Sequence, residues 1–129
     1  MTRPNTHLGI DPTLCGTPVT LGDGTATVSL ETVPAMTADD RGLVHGGFVF
    51  GLADYAAMLA VNDPNVVLGA ADTRFTAPVR LGDTVVAEAT RATTKGRKHV
   101  VEVVARVGDT EVFTGTFTTF VLDHHVLDR

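Results

Sequence analysis

Hydrophobic and polar positions along the chain change period three times. From Thr25 to Val33 the sequence TATVSLETV sets Ala26, Val28, Leu30 and Thr32 against polar partners, the two-residue period of a half-buried strand. PAMTADDRGLV then supplies loop chemistry. Gly46 to Val61, GGFVFGLADYAAMLAV, is too long for an ordinary strand, and its ADYAAMLA portion is made of good helix formers. After the NDPN turn come VVLGAADTRFTAPV, DTVVAEATRATT and KHVVEVVARV, and after the GDT turn TEVFTGTFTTFVL, all strand-like. The expected order is one strand, one central helix, then four strands joined by short hairpin turns, which favour antiparallel pairing. This is an α+β architecture, a curved antiparallel sheet wrapped around one long helix. With 129 residues, 43% of them hydrophobic, a single domain over 1–129 accounts for the whole sequence.

The helical segment is apolar nearly all round. Phe48, Leu52, Tyr55 or Ala56, and Leu59 form one stripe, while Phe50, Ala57, Met58 and Val61 surround Asp54 at helical spacing. Such a helix is expected to be buried on every side, which makes Asp54, the only charged residue between Gly46 and Val61, a desolvated carboxylate. A lone Asp there serves either as a fold-holding hydrogen-bond acceptor or as a reacting group. The HGG at the helix start favours the second. Gly46 and Gly47 leave the unpaired N–H groups of a helix N-terminus open to a ligand, where the helix dipole supports developing negative charge. As a purely structural device, the two glycines would permit a tight turn packed on the sheet.

Gly46 and Asp54 are eight positions apart (54 − 46) on one helix, which at 1.5 Å per residue places them about 12 Å apart. One carbonyl group cannot touch both. A site that uses both groups draws them from two chains whose central helices run antiparallel about a two-fold axis. An obligate dimer with two equivalent sites is the expectation.

RGLVHGGFVFGLAD followed by RFTAPVRLGDTV resembles the hotdog-fold acyl-CoA thioesterases. The similarity is to the HGG-motif branch that holds the phenylacetate-pathway and 4-hydroxybenzoyl-CoA thioesterases, and it runs from about Thr25 to Phe120. It implies the hotdog fold, a homodimer or a homotetramer built as a dimer of dimers, and hydrolysis of acyl-CoA thioesters with no cofactor beyond the coenzyme A of the substrate. On that resemblance the catalytic carboxylate falls on Asp54, the carbonyl-polarising amide on Gly46 beside Gly47, and the orienting histidine on His45. Many relatives carry Asn six positions before the histidine, and Asp39 stands there in this chain. The hydroxyl that some relatives add from a following strand has no match near Leu68, which leaves Thr73 or Thr76 as substitutes. Phe48, Tyr55 and Met58 are candidates to line the acyl pocket. Lys95, Arg97 and Lys98, with Arg80, are candidates for the CoA phosphates.

Charge and composition narrow the alternatives. A net charge of −5 and a pI near 5.4 argue against a general nucleic-acid binder. The local basic run RATTKGRKH, containing Arg91, Lys95, Arg97 and Lys98, is either a solvated hairpin tip or a phosphate contact. The longest apolar run is too short and too interrupted for a membrane span, and MTRPNTHLGI lacks the apolar core of a secretory signal, so a cytoplasmic protein is expected. The single cysteine, Cys15, reads as packing. His124 and His125 are adjacent and diverge in regular structure, so no metal site is expected. A non-catalytic acyl-CoA sensor that keeps the pocket is the main alternative. An (R)-specific enoyl-CoA hydratase is a lesser one: Asp40 and His45 have its five-residue spacing, but RGLV stands between them where that family has Asn-Pro, and Asp54 would be left without a role.

Overall fold

A computed structural model describes residues 2–128. A four-residue helix, α1 (Pro12–Cys15), precedes β1 (Thr17–Gly22) and β2 (Thr25–Glu31). A 3-10 turn (Pro34–Met36) and a loop lead into α2 (Gly46–Val61), and β3 (Val66–Phe75), β4 (Thr84–Lys95), β5 (Lys98–Val107) and β6 (Thr110–Val121) follow. All pairings are antiparallel, in the order β1-β2-β4-β5-β6-β3. The α+β expectation holds: one curved sheet packs around one long helix, whose bounds are those the apolar run suggests.

Two elements lie outside the sequence expectation. β1 carries Pro18, has an irregularity between Pro18 and Thr20, and buries only Leu21. It is an edge strand without alternation, where Pro and a bulge are tolerated. Helix α1 is set by local groups alone: Asp11 Oδ1 accepts Thr13 N–H at 2.9 Å, Pro12 opens the turn, and Gly16 at φ 103° stops it.

The expected run of four hairpin-connected strands requires a correction. Hairpins join β1 to β2, β4 to β5 and β5 to β6, each with Gly24, Gly96 or Gly108 at positive φ in the turn. No hairpin joins β3 to β4; β3 crosses to the far edge and pairs with β6, and β4 pairs with β2. The reason lies in residues 76–83, which bond elsewhere. Val44 N–H donates to Val79 O at 2.9 Å, Leu43 bridges Arg80, and Leu81 N–H donates to Gly42 O at 2.8 Å. The β3–β4 connection is thereby stitched to the loop that enters the helix.

The core lies between the sheet's concave face and α2. Val28, Leu30, Val85, Val101, Val103, Phe113 and Phe117 present the sheet side, and Leu52, Ala56 and Leu59 the helix side. Burial on every side of α2 holds from Tyr55 to Ala60 but fails in the first half, where Gly47 is exposed and Phe48, Phe50, Gly51 and Asp54 are half-buried. Residues 3–7 help to close the second half: Asn62 at the C-cap accepts Asn5 N–H at 2.7 Å and donates to Arg3 O at 2.8 Å, and the His7 ring lies 6.2 Å from that of Tyr55.

Candidate active site

The loop into α2 fixes which backbone donors are free. His45 is the N-cap residue, and its Nδ1 accepts Gly47 N–H at 2.8 Å, while Phe48 N–H turns back to His45 O at 3.1 Å. His45 N–H is itself held by Met36 O at 2.9 Å. Among the described residues Gly46 N–H has no acceptor. Phe75, at the end of β3, stands over it: a Cβ at position 46 would lie 3.2 Å from Phe75 Cε2. Phe75 is 55% exposed and meets Phe113 edge-on, so an accessible aromatic wall flanks the free amide. In the sequence nothing distinguishes Phe75 from a core aromatic of a strand; its exposure beside Gly46 comes from the fold.

Asp54 lies two turns further along α2. Its Oδ1 is buried with no hydrogen-bond partner, and burial pushes its pKa up from 3.8 to about 6. A structural aspartate would use that oxygen, since an unsatisfied buried acceptor costs about 1–3 kcal/mol. The fold therefore keeps a poorly solvated carboxylate that is still mostly ionised at neutral pH.

Gly47, Phe50, Gly51 and Asp54 occupy one face of α2 at helical spacing, and this is the half-open face. A Cβ at Gly51 would meet nothing within 4 Å. The pleat of β3 turns Ala71, Thr73 and Phe75 toward the same side as the buried Phe117, Gly115 and Phe113 of β6, with which they pair; Ala71 and Phe75 are exposed and Thr73 is half-buried. Strand β3 is also the sheet edge.

The other sequence-selected residues separate. Asp39 is exposed, and its Oδ1 accepts Arg41 N–H at 3.0 Å and Leu43 N–H at 3.1 Å, a loop-holding role in which its carboxylate supports the backbone approaching His45. Thr76 donates to Glu111 O at 3.0 Å and is tied to β6. Tyr55 and Met58 are core residues instead of lining the open face: they are buried where the helix is covered, past Asp54. Phe48 and Leu68 are half-buried. The exposed Lys95, Arg97 and Lys98 sit at the β4–β5 turn. Arg97 O accepts Val121 N–H at 2.9 Å, and Asn65 O accepts Leu122 N–H at 3.3 Å, so this turn lies by the C-terminal end of α2. Arg97 is ion-paired with Asp123. About 24 Å of helix separates that end from Gly46 in the same chain. Arg80 lies at the other end, bridged to Leu43 beside the helix entrance.

The family model described as thioesterase superfamily matches residues 41–114, the segment that contains the helix and its entrance loop. The chain belongs to the thioesterase superfamily. Among solved structures this superfamily member is similar to protein PH1136 of Pyrococcus horikoshii (50% identity, TM-score 0.97, 98% of each chain covered). It is also similar to a variant of the phenylacetic acid degradation protein PaaI of Thermus thermophilus (29% identity, TM-score 0.77, 84% of this chain and 95% of that one). Among curated proteins it is 50% identical over 119 residues to the methylthioribose-1-phosphate isomerase of Aquifex aeolicus, covering 92% of this chain and 26% of that protein. It is 31% identical over 87 residues to transcription factor FapR of a Thermoanaerobacter species, covering 67% of this chain and 44% of that protein. The chain thus spans about a quarter and under half of the lengths of these curated relatives.

Proposed function

We propose that this superfamily member is a hydrolase of acyl-CoA thioesters in the HGG-motif branch, acting as a homodimer with two sites shared between subunits. The observation that carries this reading is the pairing of opposites on one half-open helix: a free Gly46 N–H at its start and, two turns on, a half-buried Asp54 whose Oδ1 is buried without a partner. The thioester carbonyl oxygen accepts a hydrogen bond from Gly46 N–H, which stabilises the oxyanion that forms when the carbon is attacked. Asp54 of the partner subunit drives the attack, as nucleophile through an anhydride or as general base toward water. The C–S bond breaks, CoA leaves as the thiol, and water ends in the free acid. His45 holds Gly47 and fixes the turn that aims Gly46. Phe48, Thr73 and Phe75 are the side chains nearest this end that could face an acyl group, and Lys95, Arg97 and Lys98 could meet CoA phosphates only from the partner subunit.

A panel of acyl-CoAs incubated with the pure protein, with the released thiol detected, tests the reading. Turnover that tracks acyl type supports it, and no thiol above background from any member overturns it. The likeness to a transcription factor over the segment that carries the helix favours one second reading, a module that binds acyl-CoA as a signal and does not hydrolyse it. Binding without turnover in the same panel is its signature.

A further inference from the structure

A groove of about 200 Å³ lies beside the helix entrance, lined by Asp39, Arg41, Leu43, Pro78 and Arg80. Its walls are pinned backbone. Asp39 Oδ1 holds the N–H groups of Arg41 and Leu43, Ala38 N–H donates to Leu43 O at 2.7 Å, Leu43 bridges Arg80, and Arg80 N–H donates to Asp83 Oδ2 at 2.8 Å. Arg91, Arg97 and Arg106 each reach a carboxylate, but neither Arg41 nor Arg80 forms an ion pair among the described residues. In a chain of net charge −5, two arginines that form no ion pair among the described residues therefore line one groove. Both acids at these walls have an oxygen already occupied by backbone: Asp39 Oδ1 by two N–H donors and Asp83 Oδ2 by Arg80 N–H. Leu43, 43% exposed, and Pro78 add apolar surface to the same groove.

Two arginines suit phosphate oxygens, and the apolar surface of Leu43 and Pro78 suits the rest of a nucleotide. The groove lies on the chain that leads into the reaction centre: Leu43 precedes Gly46 by three residues, at most about 10 Å of extended chain. We infer that Arg41 and Arg80 dock the phosphates of the CoA nucleotide, so that the chain that polarises the carbonyl also anchors the far end of the same substrate; this rests on the thioester-hydrolase reading. On this assignment the β4–β5 turn of the partner subunit is at most a secondary phosphate contact, and that of the same chain, one helix length away, is none.

The test compares the intact protein with R41Q/R80Q and with K95Q/K98Q. Free CoA binding is read by calorimetry, and turnover is read with one acyl group presented as its CoA thioester and as a pantetheine thioester that carries no phosphate. For R41Q/R80Q, CoA affinity should fall about tenfold or more, and the ratio of kcat/KM for the CoA ester to that for the pantetheine ester should fall by a similar factor. Circular dichroism and the urea midpoint verify that the double variant is folded, and R41K/R80K, which keeps the charge, should recover part of the loss. Unchanged CoA affinity in folded R41Q/R80Q overturns the assignment, as does a larger loss in K95Q/K98Q. Tight CoA binding that depends on Arg41 and Arg80 with no turnover of either ester upholds the groove and removes the hydrolase reading. A wild-type protein that neither binds CoA nor cleaves either ester removes both.

Discussion

His45 Nδ1 accepts the backbone N–H of Gly47 at 2.8 Å, and this one contact decides which amide of the helix start is available. Because Nδ1 accepts, the neutral ring carries its proton on Nε2. Gly47 N–H is engaged by His45 Nδ1, Phe48 N–H by His45 O, and Gly46 N–H has no acceptor among the described residues, with Phe75 packed beside Gly46. The same contact explains the second glycine of the motif, since a Cβ at position 47 would lie 2.8 Å from that Nδ1.

Gly47→Ala should therefore expel the His45 ring from its capping position. Loss of an N-cap costs about 0.5–2 kcal/mol, partly offset by the better helix propensity of Ala, so a modest fall in the urea midpoint is expected. Activity should fall further than stability, because the aim of Gly46 N–H depends on that turn. His45→Asn, which can cap, should keep the unfolding free energy within about 0.5 kcal/mol of wild type. If Gly47→Ala hydrolyses acyl-CoA at the wild-type rate, the capping contact has no part in the site.

Asp54→Asn removes the charge at nearly constant volume. As nucleophile or general base, Asp54 accounts for about 10² to 10⁴-fold in kcat, and the variant should lose that much while remaining folded. A variant that unfolds more easily yet turns over normally per folded molecule would mark Asp54 as structural. Measuring kcat and the urea midpoint on one preparation, at fixed protein concentration, separates the two.

The pH dependence of Asp54 has a defined sign. Its folded pKa is raised by burial from 3.8 to about 6, so between those values the folded state binds more protons than the unfolded state. Stability from this group is greatest below about pH 4 and is lost as pH rises through about 6, by an amount on the order of 1–3 kcal/mol. The stability of Asp54→Asn minus that of wild type should rise over this window and then level off. Activity should move oppositely, climbing as the carboxylate ionises near pH 6. A stability difference that stays flat from pH 4 to 7 would show that Asp54 is well solvated.

Gly51→Leu tests the open face of α2. A Cβ there meets nothing within 4 Å in its own chain, and replacing a mid-helix Gly should raise helix stability by roughly 0.5–1 kcal/mol. If a second subunit covers this face, the added side chain should instead split the dimer in sedimentation equilibrium and abolish turnover. A Gly51→Leu protein that is still dimeric and active would place the interface elsewhere.

Local pattern alone carried the helix from Gly46 to Val61, the strands β2 to β6, and the choice of Asp54 as the chemically anomalous residue, because period, helix propensity and one isolated charge are properties of neighbours in sequence. The eight-residue separation of Gly46 and Asp54 was legible for the same reason: a helix has a fixed rise. Strand order was not. Residues 76–83 look like a turn between two strands, yet their backbone bonds to residues 42–44, and that long-range pairing sends β3 to the far edge. Nor could composition show that α2 is open along Gly47, Gly51 and Asp54, since an all-apolar helix reads as buried and only the packing of sheet and N-terminal segment decides which side is covered. The exposed Phe75 over Gly46 and the convergence of Arg41 with Arg80 belong to the same class. They join residues more than 25 positions apart, and such contacts exist only after the β3–β4 connection has been laid against the helix entrance.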